Sequence, residues 1–470
     1  MLSIWSGLCV IVIVCGCCIE AQNTGPSHGK VVVCYIGTWA AYRPARGSFT
    51  VENLEPSLCT HVIYAFAGLN PQEDSIQSLD PWQDLTEHYG KGGYQRITTL
   101  KLRYPHLKVS LAIGGWNEGS KNYSQLVAEP PRRSKFVASA VDFIRKYNFD
   151  GLDLDWEFPG KRGGAPEDKL NFLLLVKELK SAFRKHNLLL TAAFGAGKDT
   201  IDVAYDVEGL GVYLDFIHMM CYDYHGAWDQ KTGANAPLRS SDVLNVVCTG
   251  FPQSAEFPRN GVSPQEYTIN YMIKLGAPMH KLVLGVPLYG RTYVLPEALH
   301  ASSKRKPKLG IVSTSVGFQG PITREPGFMG YNEICLELKN KTEPWMKFWD
   351  SESATPFAIR NSQVITYDDD KSIYEKVKFA MEKKLAGIMV WSVDTDDFQG
   401  DCANADDDSP QNFPLMRAID KSIETSLEEI KNSIIKGKFT PRRNSSCRLS
   451  TSSNMLVFIT ALFVLGRYSL

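Results

Sequence analysis

The stretch FDGLDLDWEFPG, residues 149–160, sets Asp150, Asp153, Asp155 and Glu157 among Leu152, Leu154, Trp156 and Phe158. Apolar residues at every second position are the period of a β-strand, and burying charge inside a fold is costly. On such a strand Asp153, Asp155 and Glu157 share one face, while Leu152, Leu154 and Trp156 face the other way. Three acids on one face cannot all ionise cheaply, so at least one should hold a proton near neutral pH. A calcium site or a solvated acidic loop is the plainer alternative, and the regular Leu, Leu, Trp interleaving argues against both.

Seven further runs of the same character flank this one: residues 30–37, 61–68, 108–116, 188–195, 214–223, 281–290 and 386–394. Helical periodicity lies between several of them. Val137, Val141 and Ile144 fall on one face of 134–147, and Phe172, Leu175, Val176, Leu179 and Phe183 on one face of 168–184. Eight strands alternating with helices predict a parallel sheet closed as a (β/α)8 TIM barrel, with a doubly wound open sheet as the runner-up. The acids then line the barrel interior and rise to its carboxyl mouth, with Glu157 outermost as the candidate general acid.

The interval between the seventh and eighth runs is too long for one helix, and residues 292–365 are expected to form a small α+β insertion domain at the mouth. The barrel region is expected over 30–425. A surplus at 246–264 reads as a loop of no assigned role. A helix is expected from Leu415 to Ile435, and 426–445 reads as a short stalk.

Residues 2–18 are uncharged and apolar, as in a secretory leader removed near Ala21, and are short for a membrane span. Small residues at Asn444, Ser445 and Ser446, a polar spacer and an apolar run over 455–465 have the layout of a GPI-attachment signal over 446–470. A plain membrane tail is the alternative. Secretion permits disulfides, and Asn122, Asn340 and Asn444 head glycan acceptor triplets. Cysteine and histidine spacings offer no metal site. A formal charge of +0 gives no basic surplus for nucleic acid and suits a neutral substrate.

The motif DGLDLDWE, with SLAIGGW (110–116), MCYDYHG (220–226), GVPLYGRTY (285–293) and GIMVWSVDTDD (387–397), resembles glycoside hydrolase family 18, the chitinases, over roughly residues 30–425. Arthropod chitinases with one catalytic domain are the nearest match in kind. The resemblance implies hydrolysis of β-1,4 links between N-acetylglucosamine units without a cofactor, by a monomer acting on chitin or its oligomers outside the cell. It makes Glu157 the acid and the substrate's own acetamido oxygen the nucleophile, the substrate-assisted exception among glycosidases. Asp155 would orient the acetamido N–H, Asp153 would share a proton with Asp155, and Asp150 would be structural. Tyr222 and Asp223 would meet the cleaved sugar. Tyr35, Trp39, Trp116, Met220, Trp228, Tyr289, Arg291 and Trp391 match cleft positions, where aromatic rings meet the C–H faces of sugars.

The same resemblance implies disulfides Cys34–Cys59 and Cys335–Cys402, with Cys221 buried and free. Two other readings remain in view: a chitin-binding lectin or cuticle-organising protein, and an endo-N-acetylglucosaminidase acting on glycoprotein glycans. Loss of Glu157 or Tyr222 would mark the lectin, and both are present.

Overall fold

The computed structural model describes residues 25–239, 264–298, 307–403 and 412–436. The expected leader, the loop 246–263 with Cys248, Asn444, Cys447 and the tail 446–470 lie outside them. The chain divides into two units, Met1–Leu427 and Glu428–Leu470. Everything below concerns the first, apart from the last turns of one helix.

Eight parallel strands close on themselves. They are β1 (Val31–Gly37), β2 (His61–Asn70), β4 (Lys108–Gly114), β5 (Gly151–Asp155), β6 (Leu189–Gly195), β7 (Phe216–Met220), β8 (Leu282–Pro287) and β14 (Gly387–Trp391). Each pairs with the next, and β1 closes the ring by pairing with both β2 and β14. The short β3 (Ser75–Ser78) folds back antiparallel on β2. The open doubly wound sheet is thereby excluded, since a closed ring leaves no edge among these eight strands.

Helices cover the outside because strands buried on both faces need apolar partners there. In the helix Asp168–Arg184 the buried residues include Phe172, Leu175, Val176, Leu179 and Phe183, the stripe its periodicity predicts. The helix Pro130–Lys146 departs from expectation. It buries Phe136, Ala140 and Ile144, whereas Val137 and Val141 are half-buried. Both stripes share Ile144 at helical spacing, so periodicity does not choose between them, and packing against the neighbouring elements turns the Phe136 stripe inward.

The inserted residues build a five-stranded antiparallel sheet, β10-β9-β13-β12-β11. Its strands are β9 (Tyr289–Val294), β10 (Phe328–Gly330), β11 (Met346–Asp350), β12 (Thr355–Arg360) and β13 (Gln363–Thr366), accompanied by the helix Tyr331–Glu337. The run 281–290 therefore does not remain one barrel strand: β8 ends at Pro287, and from Tyr289 the chain enters the insert. Tyr293, Leu295, Phe357, Ile359 and Val364 form one core of this insert, and Met329, Ile334, Trp345, Ala358 and Ile365 another.

Among the described residues two disulfides are present, Cys34–Cys59 joining β1 to the approach of β2, and Cys335–Cys402 joining the insert's helix to the segment after β14. Cys335 and Cys402 lie with Asp397 close enough to share a metal ion, but their sulfurs are bonded to one another. Cys221 is buried and free. Asn122 and Asn340 are exposed. Among the described residues, no helix is long and apolar enough to cross a membrane. The helix Pro414–Ile435 runs on through residue 426, where the stalk was expected to begin.

Candidate active site

The barrel makes room for its acids with small neighbours. Asp153 lies in register with Ala112 on β4 and Thr191 on β6, and Asp155 with Gly114 on β4. Gly114 has φ 117°, and a Cβ there would stand 2.2 Å from the Asp155 carbonyl oxygen. No other residue fits that approach, which accounts for the first glycine of SLAIGGW. The next residue closes the seam, its N–H donating to the Asp155 carbonyl at 2.8 Å.

Asp153 is fully buried and well supplied with donors. The Tyr35 hydroxyl donates to Oδ2 at 2.6 Å, and Thr191 Oγ1 donates to Oδ1 at 2.6 Å. His218 Nδ1 lies 3.1 Å from Oδ1 and 2.9 Å from the Tyr35 hydroxyl. Asp155, also buried, has an Oδ1 with no protein partner. Burial first, then the charges of Glu157 and Asp153, hold its carboxyl well above the usual range.

Strand β5 ends at Asp155, so Trp156 and Glu157 stand just beyond it. Trp156 is buried on the helix side, stacked on Tyr123 and donating from Nε1 to Ser120 Oγ at 2.9 Å. Ser120 in turn donates to the Phe158 carbonyl at 2.8 Å, which anchors the turn that carries Glu157. Glu157 is half-buried, and its carboxyl is pushed up to about 7. Burial is the main cause, Asp223 adds to it, and the Arg162 guanidinium opposes it.

Across the mouth, Asp223 adopts φ 57° just after β7, a left-handed conformation that aspartate tolerates better than most residues. Its Oδ1 accepts from the Tyr289 hydroxyl at 2.6 Å and from Arg291 Nε at 2.8 Å, and its N–H donates to Asn235 Oδ1 at 3.0 Å. Tyr289 and Arg291 reach Asp223 from β9 of the insert, so the insert supplies one wall of the cluster. Tyr222 is partly buried beside Met220, packed against the barrel core, with its hydroxyl 3.9 Å from Met389 Sδ.

Aromatic rings line the rim. Trp391 ends β14 between Tyr35 (5.7 Å), Phe66 (5.9 Å) and Trp39 (6.0 Å). Trp39, Trp116 and Trp228 remain 45%, 60% and 53% exposed, too open for core residues. The Arg291 guanidinium lies 5.0 Å from the Trp228 ring. The structure thus brings every site residue expected from sequence to this end of the barrel or its rim.

Sequence reasoning missed Thr191, His218, Phe66, Asn235 and Arg162. Thr191 and His218 were detectable as lone polar residues within apolar strands. Arg162 carried no signal. Of the other tryptophans, Trp345 is buried in the insert, and the Lys371 ammonium lies 3.6 Å from the centre of the Trp349 ring on β11. Trp82 stacks on Tyr42 at 6.5 Å, with the Lys91 ammonium 4.3 Å from its ring.

A sequence model of glycosyl hydrolases family 18 matches residues 31–396. The chain is similar to a Drosophila melanogaster protein described as probable chitinase 2, 48% identical and spanning 95% of this chain and 92% of the relative. The fold is similar to that of Ostrinia furnacalis Group IV chitinase in complex with allosamidin, with a TM-score of 0.75 and 38% identity over 84% of this chain and 99% of that one. It is also similar to human YKL-39, described as a pseudo-chitinase with retained chitooligosaccharide binding. That match has a TM-score of 0.71 and 34% identity over 84% of this chain and all of the other.

Proposed function

The chain belongs to the glycosyl hydrolases of family 18 and is a glycoside hydrolase, and from that premise we propose an endochitinase that cleaves β-1,4 links between N-acetylglucosamine units with retention of configuration. Similarity to both a chitinase and a pseudo-chitinase means that barrel and aromatic rim alone do not separate hydrolysis from binding. The observation that carries the proposal is the Glu157 carboxyl, held protonated up to about 7 above a buried Asp155. A carboxylic acid kept neutral at a cleft mouth can protonate a leaving glycosidic oxygen.

In this reading the substrate acetamido group enters the space beside Asp155 and Tyr222. Asp155 Oδ1, which no protein group meets, accepts the acetamido N–H, and the Tyr222 hydroxyl donates to the acetamido oxygen as it attacks the anomeric carbon. Glu157 gives its proton to the departing oxygen. It then withdraws a proton from the water that opens the cyclic intermediate. Asp153 is held by Tyr35, Thr191 and His218 while Asp155, raised by burial, keeps its proton. Trp391 forms the floor under the reacting sugar, and Trp39, Trp116 and Trp228 extend the platform to either side.

The test is hydrolysis of soluble N-acetylglucosamine oligomers by the protein and by Glu157→Gln. Loss of roughly 10²–10⁴-fold in kcat with binding retained supports the acid role. Binding without cleavage by either protein supports the lectin reading, and neither binding nor cleavage directs attention to glycoprotein glycans.

A further inference from the structure

We propose that Arg162 is a positioning residue that locks the Trp116 platform to the main chain of the Glu157 turn, an inference that rests on the chitinase reading of this mouth. The guanidinium carbon of Arg162 stands 3.5 Å from the centre of the Trp116 ring. Its two terminal nitrogens reach different segments: one donates to the Glu157 carbonyl at 2.9 Å and the other to the Trp116 carbonyl at 2.8 Å. These segments follow β5 and β4, and the Arg162 fork spans them just above the final seam contact, Gly115 N–H to Asp155 carbonyl at 2.8 Å.

An exposed arginine ordinarily stays solvated, because ordering so long a side chain costs entropy. Here three contacts order one guanidinium, and the backbone beneath it takes φ 50°, a left-handed conformation unusual for a non-glycine residue. Only a planar fork can stack on a ring and reach two carbonyls at once, so lysine would not substitute. Trp116 is 60% exposed and needs backing to serve as a rigid platform. Arg162 covers one face and leaves the other for a sugar ring. A sugar seated there presses on a group that also holds the residue bearing the acid.

The Glu157 carboxyl faces Asp155 on β5, Tyr205 beyond β6, Tyr222 and Asp223 beyond β7, and Arg162 in its own turn. Arg162 contributes positive charge among these acids and phenols, so removing it favours the protonated acid. The test uses Arg162→Gly, which suits the backbone and deletes the fork, and Arg162→Lys, which keeps the charge alone. KM and kcat for a five-unit N-acetylglucosamine oligomer are measured from pH 5 to 9. Affinity is titrated in a Glu157→Gln background, with melting temperatures alongside.

Both variants should raise KM and Kd by roughly three- to tenfold at unchanged melting temperature. The basic limb of kcat/KM should move to higher pH in Arg162→Gly and stay in place in Arg162→Lys. Parent-like KM, Kd and basic limb in Arg162→Gly overturn the proposal. If the parent neither cleaves nor binds the oligomer, the chitinase reading has failed. The clamp is then decided by acrylamide quenching of tryptophan emission. Quenching greater in Arg162→Gly than in the parent, with the difference abolished by Trp116→Phe, supports it, and equal quenching overturns it.

Discussion

Asp153 and Asp155 stand two positions apart on β5 in opposite conditions: the first accepts from both Tyr35 and Thr191, and the second has a buried oxygen that no protein group meets. Burial, Glu157 and Asp153 therefore hold the Asp155 carboxyl well above its usual range, so that Asp155 keeps a proton. Thr191→Val and Tyr35→Phe each remove one donor from a buried carboxylate without changing much volume. Each should cost about 1–3 kcal/mol in denaturant unfolding. Each should also lower kcat, because loosening Asp153 disturbs the neighbour that helps hold the Asp155 carboxyl raised.

The pH dependence of catalysis should follow the acids at the mouth. With Glu157 pushed up to about 7 and Asp155 raised beside it, kcat/KM should fall above a pH of about 7. The limb belongs to the interacting pair and not to one residue. A pH–rate profile on a soluble oligomer checks this.

Stability should run the same way. An unfolded glutamate releases its proton near ~4.3, whereas folded Glu157 holds it to about 7, so the folded chain binds the extra proton between these limits. Stability contributed by this group is therefore full at low pH and lost as pH rises through that window. Glu157→Gln should raise the melting temperature at pH 8, with the gain shrinking toward pH 4. A pH-independent difference in calorimetry would contradict the assignment.

Lys376 and Asp368 form an ion pair with both side chains buried, and Ser372 Oγ donates to the same Asp368 oxygen at 2.6 Å. Lys376→Met strands a buried carboxylate and should cost about 3–5 kcal/mol. Adding Asp368→Leu should recover most of the loss. A double-mutant cycle in urea reads the difference.

The Cys335–Cys402 bridge closes a span with a sequence separation of 67. Cys335→Ser with Cys402→Ser should lower stability by about 2–4 kcal/mol through the greater freedom of the unfolded chain. Equilibrium unfolding of the double variant beside the parent measures it.

Eight barrel strands were legible because alternation and apolar runs are local properties, readable within a few residues. The helix 134–147 shows where local reading fails. Val137, Val141 and Ile144 make as good a stripe as Phe136, Ala140 and Ile144, and only the fit against the sheet and the neighbouring helix selects the second. The run through Tyr289 failed similarly, because leaving one sheet for another is a matter of pairing partners and not of residue type.

The sequence by itself determined that Asp153 and Asp155 share one face of a strand, since a period of two leaves them no choice, with Glu157 just beyond the strand's end. It also determined the order of the motifs around the barrel. Only the tertiary structure decided what each acid experiences. Tyr35, Thr191 and His218 come from three other strands to meet Asp153, and Asp223 is held by residues of the insert. Arg162 bridges two carbonyls that are adjacent only once β4 and β5 pair. Burial, charge and hydrogen bonding depend on neighbours in space, and the closing of the barrel is what makes distant residues neighbours.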